Sequence, residues 1–137
     1  MPQTEVLFVE DSAGDALLTQ QILAEAAPEV KLHIARDGEQ ALAMLQNNRF
    51  RPAMVILDLS LPKLSGFEVL ERNPRKEIPV VVFSASQRIS DKEQTLSLGA
   101  REYVHKPVDV VGYRNAVVGM IRNWAMPGAG ANGSFTD

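Results

Sequence analysis

Short continuous apolar runs take turns along this chain with segments whose apolar residues recur every three or four positions. The runs are Val6-Leu7-Phe8-Val9, Met54-Val55-Ile56-Leu57, Val80-Val81-Val82-Phe83 and the shorter Tyr103-Val104, while Leu32 and Ile34 alternate in a fifth. Bounded by polar residues, they predict five strands. Between them, Ser12-Ala13-Gly14-Asp15 opens a helix in which Leu18, Ile22 and Ala26 share a face and which Pro28 closes. Asp37-Gly38 turns into a second helix from Glu39 to Gln46, with Ala41, Leu42 and Leu45 on one side. The loop from Leu61 to Gly66 leads to a short helix through Phe67, Val69 and Leu70 that Pro74 must end. Ser90-Asp91-Lys92-Glu93 has capping-box spacing for a fourth helix running to Leu98 with Gly99 as its C-cap, and a last helix is predicted from about Asp109 to Trp124. Strand and helix thus alternate five times, which predicts a doubly wound α/β sheet with helices on both faces and right-handed crossovers.

Composition narrows the function. A chain of 137 residues with 45% apolar content accommodates one domain, expected over 1–126, and the small, polar stretch 127–137 is expected to be a disordered tail. A net charge of −3 and the lack of any Lys/Arg run argue against nucleic acid. No cysteine is present, so disulfides and thiolate metal sites are excluded, in keeping with a reducing cytosol. No signal peptide is read before Val6, and no apolar segment approaches the ~20 residues that span a bilayer, so a cytoplasmic location is expected.

Ligands of doubly wound sheets lie at the carboxyl ends of the strands, near the switch in strand order. Glu10-Asp11, Asp58, Ser84 and Lys106 each stand at the end of an apolar run, and Pro107 follows the last. They would meet there. Carboxylates this close repel by roughly 4 kcal/mol per pair at ~4 Å and an effective dielectric of ~20, unless a cation sits among them. Mg²⁺ is the natural candidate, since it accepts one or two carboxylates and completes its shell with water, phosphate or a backbone carbonyl. The lysine and the hydroxyl would then be free to hold an anion.

These residues resemble the receiver domains of two-component response regulators over about residues 4–126. The resemblance rests on Val9-Glu10-Asp11, on Asp58-Leu-Ser-Leu-Pro-Lys-Leu-Ser-Gly66, on Ser84-Ala85 and on Tyr103-Val-His-Lys-Pro107, in that order and spacing. It implies a flavodoxin-like sheet of order 2-1-3-4-5 with five helices. It further implies Asp58 as phosphoacceptor, Asp11 as a direct Mg²⁺ ligand, Glu10 as a ligand through water, and the Ser60 backbone carbonyl as another. Lys106, placed by a cis bond to Pro107, would pair with the phosphoryl group, Ser84 would be the switch hydroxyl and Tyr103 the switch aromatic. A narrower likeness, in Val9 to Asp15, the Ala35-Arg36-Asp37-Gly38 turn and a last helix ending in Trp124, points to the stand-alone regulators of bacterial phytochrome kinases. The chain departs from that subgroup between Leu70 and Ile78, where the third helix and its loop are short.

The expected function is a single-domain regulator that takes phosphoryl from a sensor histidine kinase and signals by protein–protein contact, not an enzyme acting on a separate substrate. An intermediate shuttle in a phosphorelay is an alternative. An aspartyl-nucleophile phosphatase would need a second Asp two residues after the nucleophile, where Ser60 stands. His33 and His105 lack partners at metal-ligand spacing and read as structural or solvent-facing. In the last helix Val110, Tyr113, Val117, Met120 and Trp124 suit the face on the sheet. Val111, Val118 and Ile121 form a second stripe, expected to be exposed and to mediate a two-fold homodimer.

Overall fold

The computed structural model describes residues 4–126, so the expected tail at 127–137 lies outside the described residues. Along the chain come β1 (Thr4–Val9), α1 (Ala13–Ala26), β2 (Val30–Ala35), α2 (Gly38–Gln46), β3 (Met54–Leu57), α3 (Gly66–Arg72), β4 (Val80–Ser84), α4 (Ile89–Ser97), β5 (Glu102–His105) and α5 (Val110–Met120). A π-turn over Ile121–Ala125 prolongs α5. All pairings are parallel, in the order β2-β1-β3-β4-β5. The expected doubly wound sheet is therefore the fold.

Because strand side chains alternate between faces, each continuous apolar run feeds two cores at once. Leu7, Val9, Val55, Leu57, Val80 and Val82 pack with Ala41, Leu42 and Leu45 of α2 and Val69 and Leu70 of α3. Val6, Phe8, Met54, Ile56, Val81 and Phe83 pack with Ile22 and Leu23 of α1 and Tyr113, Val117 and Met120 of α5. Burying such a side chain contributes roughly 1.5–3 kcal/mol, so the three inner strands anchor both layers.

The register aligns the strand ends. Val9 pairs with both Ala35 and Leu57, Leu57 with Val82, and Ser84 with His105. Glu10, Asp58 and Lys106, each one residue past its strand, consequently leave the sheet along one edge.

Four local expectations are corrected. The buried face of α1 is Ala16, Thr19, Ile22 and Leu23, and Ala26 is exposed, because Thr19 Oγ1 hydrogen-bonds Tyr113 Oη at 2.8 Å and so sets the roll of α1 on α5. Ser90 does not cap α4: the helix has already started at Ile89, and Asp91 instead accepts from Ser86 Oγ at 2.6 Å. The capping box of this chain is Ser65 with Glu68, opening α3. The expected cis bond between Lys106 and Pro107 is absent, as no cis peptide occurs among the described residues. The trans isomer is the intrinsically favoured one by about 0.5–1 kcal/mol, and from it Lys106 already reaches the carboxylates described below.

The fourth correction concerns α5. Ile121 is 1% exposed and Val118 packs partly buried against the same cluster, so the expected exposed stripe retains only Val111, 68% exposed. The reason is helical phase: Tyr113, Val117 and Ile121 follow one another at four-residue spacing and turn inward together. Val110, expected on the sheet, is 64% exposed because it opens the helix beyond the strand ends. Trp124 covers the far end of the core and donates from Nε1 to Glu102 Oε1 at 2.8 Å.

Replacing Ile121 by alanine is expected to cost about 2–5 kcal/mol in urea unfolding, independent of protein concentration, whereas Val111→Ala should stay within about 0.5 kcal/mol. Equal small effects at both positions would show that Ile121 is not part of the core.

Candidate functional site

β1 and β3 flank the switch in strand order, and the two chain ends there are bonded to each other. Asp58 N donates to Val9 O at 3.1 Å and Glu10 N to Ala35 O at 2.9 Å, so the ladder runs one residue past each strand. Lys106 N does likewise, donating to Ser84 O at 2.7 Å. Gly66 closes the crevice from below. A Cβ there would lie 2.5 Å from the Asp58 carbonyl oxygen and 2.7 Å from Leu59 Cα, so only glycine lets the start of α3 press on this strand end. Gly66 N donates to Leu59 O at 2.9 Å, which pins the backbone that carries Asp58.

Glu10 and Asp58 are buried, at 1% and 7% exposure, while Asp11 is exposed. Each of the three offers a carboxylate oxygen, and these oxygens lie within 4.8 Å of one another. Oxygen donors this hard and this close suit a small divalent cation such as Mg²⁺ or Mn²⁺. Arg36 Nη2 braces the cluster by donating to Asp11 O at 3.2 Å, and Ser12 N donates to Glu10 Oε2 at 3.2 Å.

Lys106 Nζ enters the crevice from β5. It donates to Glu10 Oε1 at 2.6 Å and to Asp15 Oδ2 at 2.9 Å, and it lies 3.6 Å from Asp58 Oδ2. The ammonium expected to be free for an anion is thus held by two acids and adjacent to a third. Burial works against its charge, but the bonds to Glu10 and Asp15 and the nearby Asp58 outweigh it, and its pKa rises above the ordinary lysine value. One ammonium cannot satisfy every acid. At Glu10 burial dominates, the Asp58 charge adds to it, and the carboxyl is pushed up to about 7 despite the bond to Lys106.

The remaining expected residues take other places. Ser84, 3% exposed at the end of the neighbouring β4, accepts from Ser86 N at 3.1 Å. Tyr103 on β5 donates to Ser86 O at 2.7 Å, outside the acidic cluster. Both therefore converge on Ser86. Ser60 is exposed in the loop after Asp58. His33 bonds Glu5 Oε1 at 2.7 Å and His105 faces Gln87, as structural or solvent-facing residues would. Two participants were not anticipated. Asp15 was read only as a helix-opening acid, although it stands one helical turn beyond Asp11, and Gly66 only as part of a loop.

Glu10 makes the metal-free protein pH-sensitive. Its folded carboxyl holds a proton more tightly than an unfolded one near 4.5, so its stabilisation is complete below about 4.5 and is lost as pH rises through about 7. Urea unfolding in chelator should show about 1.4 kcal/mol more stability from this group at pH 6 than at pH 8. Glu10→Gln should flatten that difference; an unchanged slope would place the titrating group elsewhere.

Comparison with known proteins matches this arrangement to one family. The family model described as response regulator receiver domain matches residues 6–117. Response regulator Rcp1 of Synechocystis sp. is 36% identical over 132 residues, covering 90% of each chain. The crystal structure of the Mn(2+)-bound form of Rcp1 superposes with a TM-score of 0.79 at 35% identity, covering 89% of this chain and 94% of that one. The phosphorylated cyanobacterial phytochrome response regulator RcpA gives a TM-score of 0.82 at 33% identity, with the same coverage. The chain belongs to the response regulator receiver domain family, and it is a phosphoacceptor signalling module of two-component type.

Proposed function

We propose that this protein accepts a phosphoryl group on Asp58 from a sensor histidine kinase, of the phytochrome type, in a Mg²⁺-dependent transfer that it catalyses itself, and that it signals in the cytosol by protein contact. One observation carries this reading: a buried Asp58 carboxylate shares a crevice with two further acids and with a lysine 3.6 Å away. The phosphorylated and Mn(2+)-bound states described for its relatives support it. So does the membership of the family. No helix among the described residues is long and apolar enough to cross a membrane, which accords with the cytosol.

Asp58 is the nucleophile. One of its carboxylate oxygens forms the new bond to phosphorus as the P–N bond of the donor's phosphohistidine breaks, and the electron pair leaves with the imidazole nitrogen. Asp11 and Asp58 would hold Mg²⁺ directly, Glu10 through water, and the Ser60 backbone carbonyl would add a further oxygen. When bound, Mg²⁺ neutralises charge on the transferring group. Lys106 turns part of its charge to the phosphoryl oxygens.

Ser84 and Tyr103 would relay the change. A Ser84 hydroxyl drawn to the phosphoryl group releases Ser86 N, and Tyr103 is bonded to the same residue through Ser86 O. The outcome is a population shift in the β4–α4 loop, β5 and α5. A homodimer through α5 would have to use Val110 and Val111, since Val118 and Ile121 are engaged in the core.

With acetyl phosphate as donor, wild-type protein should acquire one phosphoryl group by mass spectrometry only when Mg²⁺ is present, and Asp58→Asn should remain folded and unmodified. Equal modification of Asp58→Asn would sink the assignment. Ser84→Ala should still be phosphorylated, but the amide shifts that beryllofluoride produces around Tyr103 and α5 should shrink. Undiminished shifts in that variant would remove Ser84 from the relay.

A further inference from the structure

Asp15 has no part in the proposed phosphoryl transfer, yet it makes a short charged contact with Lys106. Its Oδ2 accepts from Lys106 Nζ at 2.9 Å, whereas Asp58 Oδ2, at 3.6 Å, lies too far for a hydrogen bond. The ammonium has three donors, and two are committed to Glu10 and Asp15. Asp15 stands outside the group of mutually close oxygens formed by Glu10, Asp11 and Asp58. With Lys106 itself, Leu18, Pro107 and Val108, it lines a crevice between α1 and the β5–α5 loop.

The backbone that carries Asp15 is held on both sides. Asp15 N donates to Ser12 Oγ at 3.2 Å in the first turn of α1, and Asp15 O accepts from Tyr113 Oη at 3.4 Å. The Thr19–Tyr113 bond holds α1 and α5 together one turn further on. Asp15 therefore sits, from a held backbone, on the side of Lys106 that it, rather than the acceptor, occupies. Glu10 and Asp15 differ in kind. A cation in the acidic cluster would neutralise the charge that Glu10 offers Lys106, leaving Asp15 as the competitor for the ammonium.

We infer that Asp15 is a positioning residue that draws the Lys106 ammonium away from the phosphoryl group on Asp58, and so limits how tightly that group is held. The inference rests on Asp58 being the phosphoacceptor. Neutralising Asp15 releases the ammonium toward Asp58. A phosphoryl group there carries close to two negative charges, so it gains directly from that release.

A double-mutant cycle on the full chain tests it. Beryllofluoride affinity with Mg²⁺ is measured for wild type, Asp15→Asn, Asp15→Ala, Lys106→Met and the Asp15/Lys106 double variants. The steady phosphorylated fraction with acetyl phosphate is measured alongside; there an Asp58 oxygen bonds to phosphorus as acetate leaves with the P–O electron pair. Asp15→Asn should bind beryllofluoride up to about fivefold tighter, the scale of a partly exposed ion pair, and the gain should vanish when Lys106 is methionine. In the metal-free protein the ¹H–¹⁵N resonance of the Lys106 ammonium, sharp while both acids hold it, should broaden in Asp15→Asn. If Asn or Ala lowers the urea midpoint, Asp15→Ser carries the test with a small polar group kept in the first turn. The inference is overturned by unchanged affinity with an unchanged Lys106 resonance. It is equally overturned by a gain that persists in Lys106→Met, which would mean Asp15 acts through its bare field. Failure of the underlying assignment looks different: wild type would then carry no phosphoryl group on Asp58.

Discussion

One ammonium among more carboxylates than it can neutralise is the constraint on which this site depends. Glu10 and Asp58 are carried into the crevice by the same parallel register that buries the two cores, and Lys106 is brought opposite them by β5. A buried ion pair is costly to break, by about 3–5 kcal/mol, because the survivor is left unpaired. Here the imbalance is only partly relieved. Every buried side-chain polar atom among the described residues has a partner, yet Glu10 still holds its proton to about pH 7. The crevice is complete in hydrogen bonds and deficient in positive charge, a state in which a proton and a metal ion compete for the same place.

The same geometry explains how an event at one strand end reaches a distant surface. Ser86 receives four connections: its N donates to Ser84, its O accepts from Tyr103, and its Oγ donates to Asp91 in the first turn of α4 while accepting from Arg88 N. Two strands, a loop and a helix therefore meet at one residue. A shift of Ser84 cannot leave Ser86 in place without giving up a hydrogen bond, worth about 0.5–1.5 kcal/mol net. That is comparable to the energies that separate conformers of a switch, so the loop can be biased without being unfolded.

Much of this was legible in the sequence, for a physical reason. Strands buried on both faces must be apolar throughout, so their ends are abrupt, and the first polar residue after each run marks the crevice: Glu10, Asp58 and Ser84 were found that way, and Lys106 followed from its place one residue beyond the edge strand. What escaped depended on contacts between distant segments. Thr19 counts as polar in any local pattern but is buried through its bond to Tyr113, and that bond turns α1 away from the face its leucines and alanines suggest. Ile121 could be assigned to either of two overlapping stripes, and only the packing of α5 on the sheet decides between them. Ser90 had the spacing of a cap, but α4 starts at Ile89, two residues earlier than that spacing requires, and Asp91 is bonded to Ser86 instead. Asp15 and Gly66 were invisible because their roles are defined by what approaches them, a lysine from β5 and a backbone carbonyl from β3.

The joint between Trp124 and Glu102 has a practical side. Glu102 is the neighbour of Tyr103 on β5, and its carboxylate holds the indole of the chain's single tryptophan at 2.8 Å. Successive strand residues face opposite ways, so one short edge strand is fastened on one side to the β4–α4 loop and on the other to the end of α5. Indole emission responds to the charge and polarity beside the ring. This protein therefore contains a native optical probe, placed at the joint between edge strand and terminal helix, with no second tryptophan to dilute its signal.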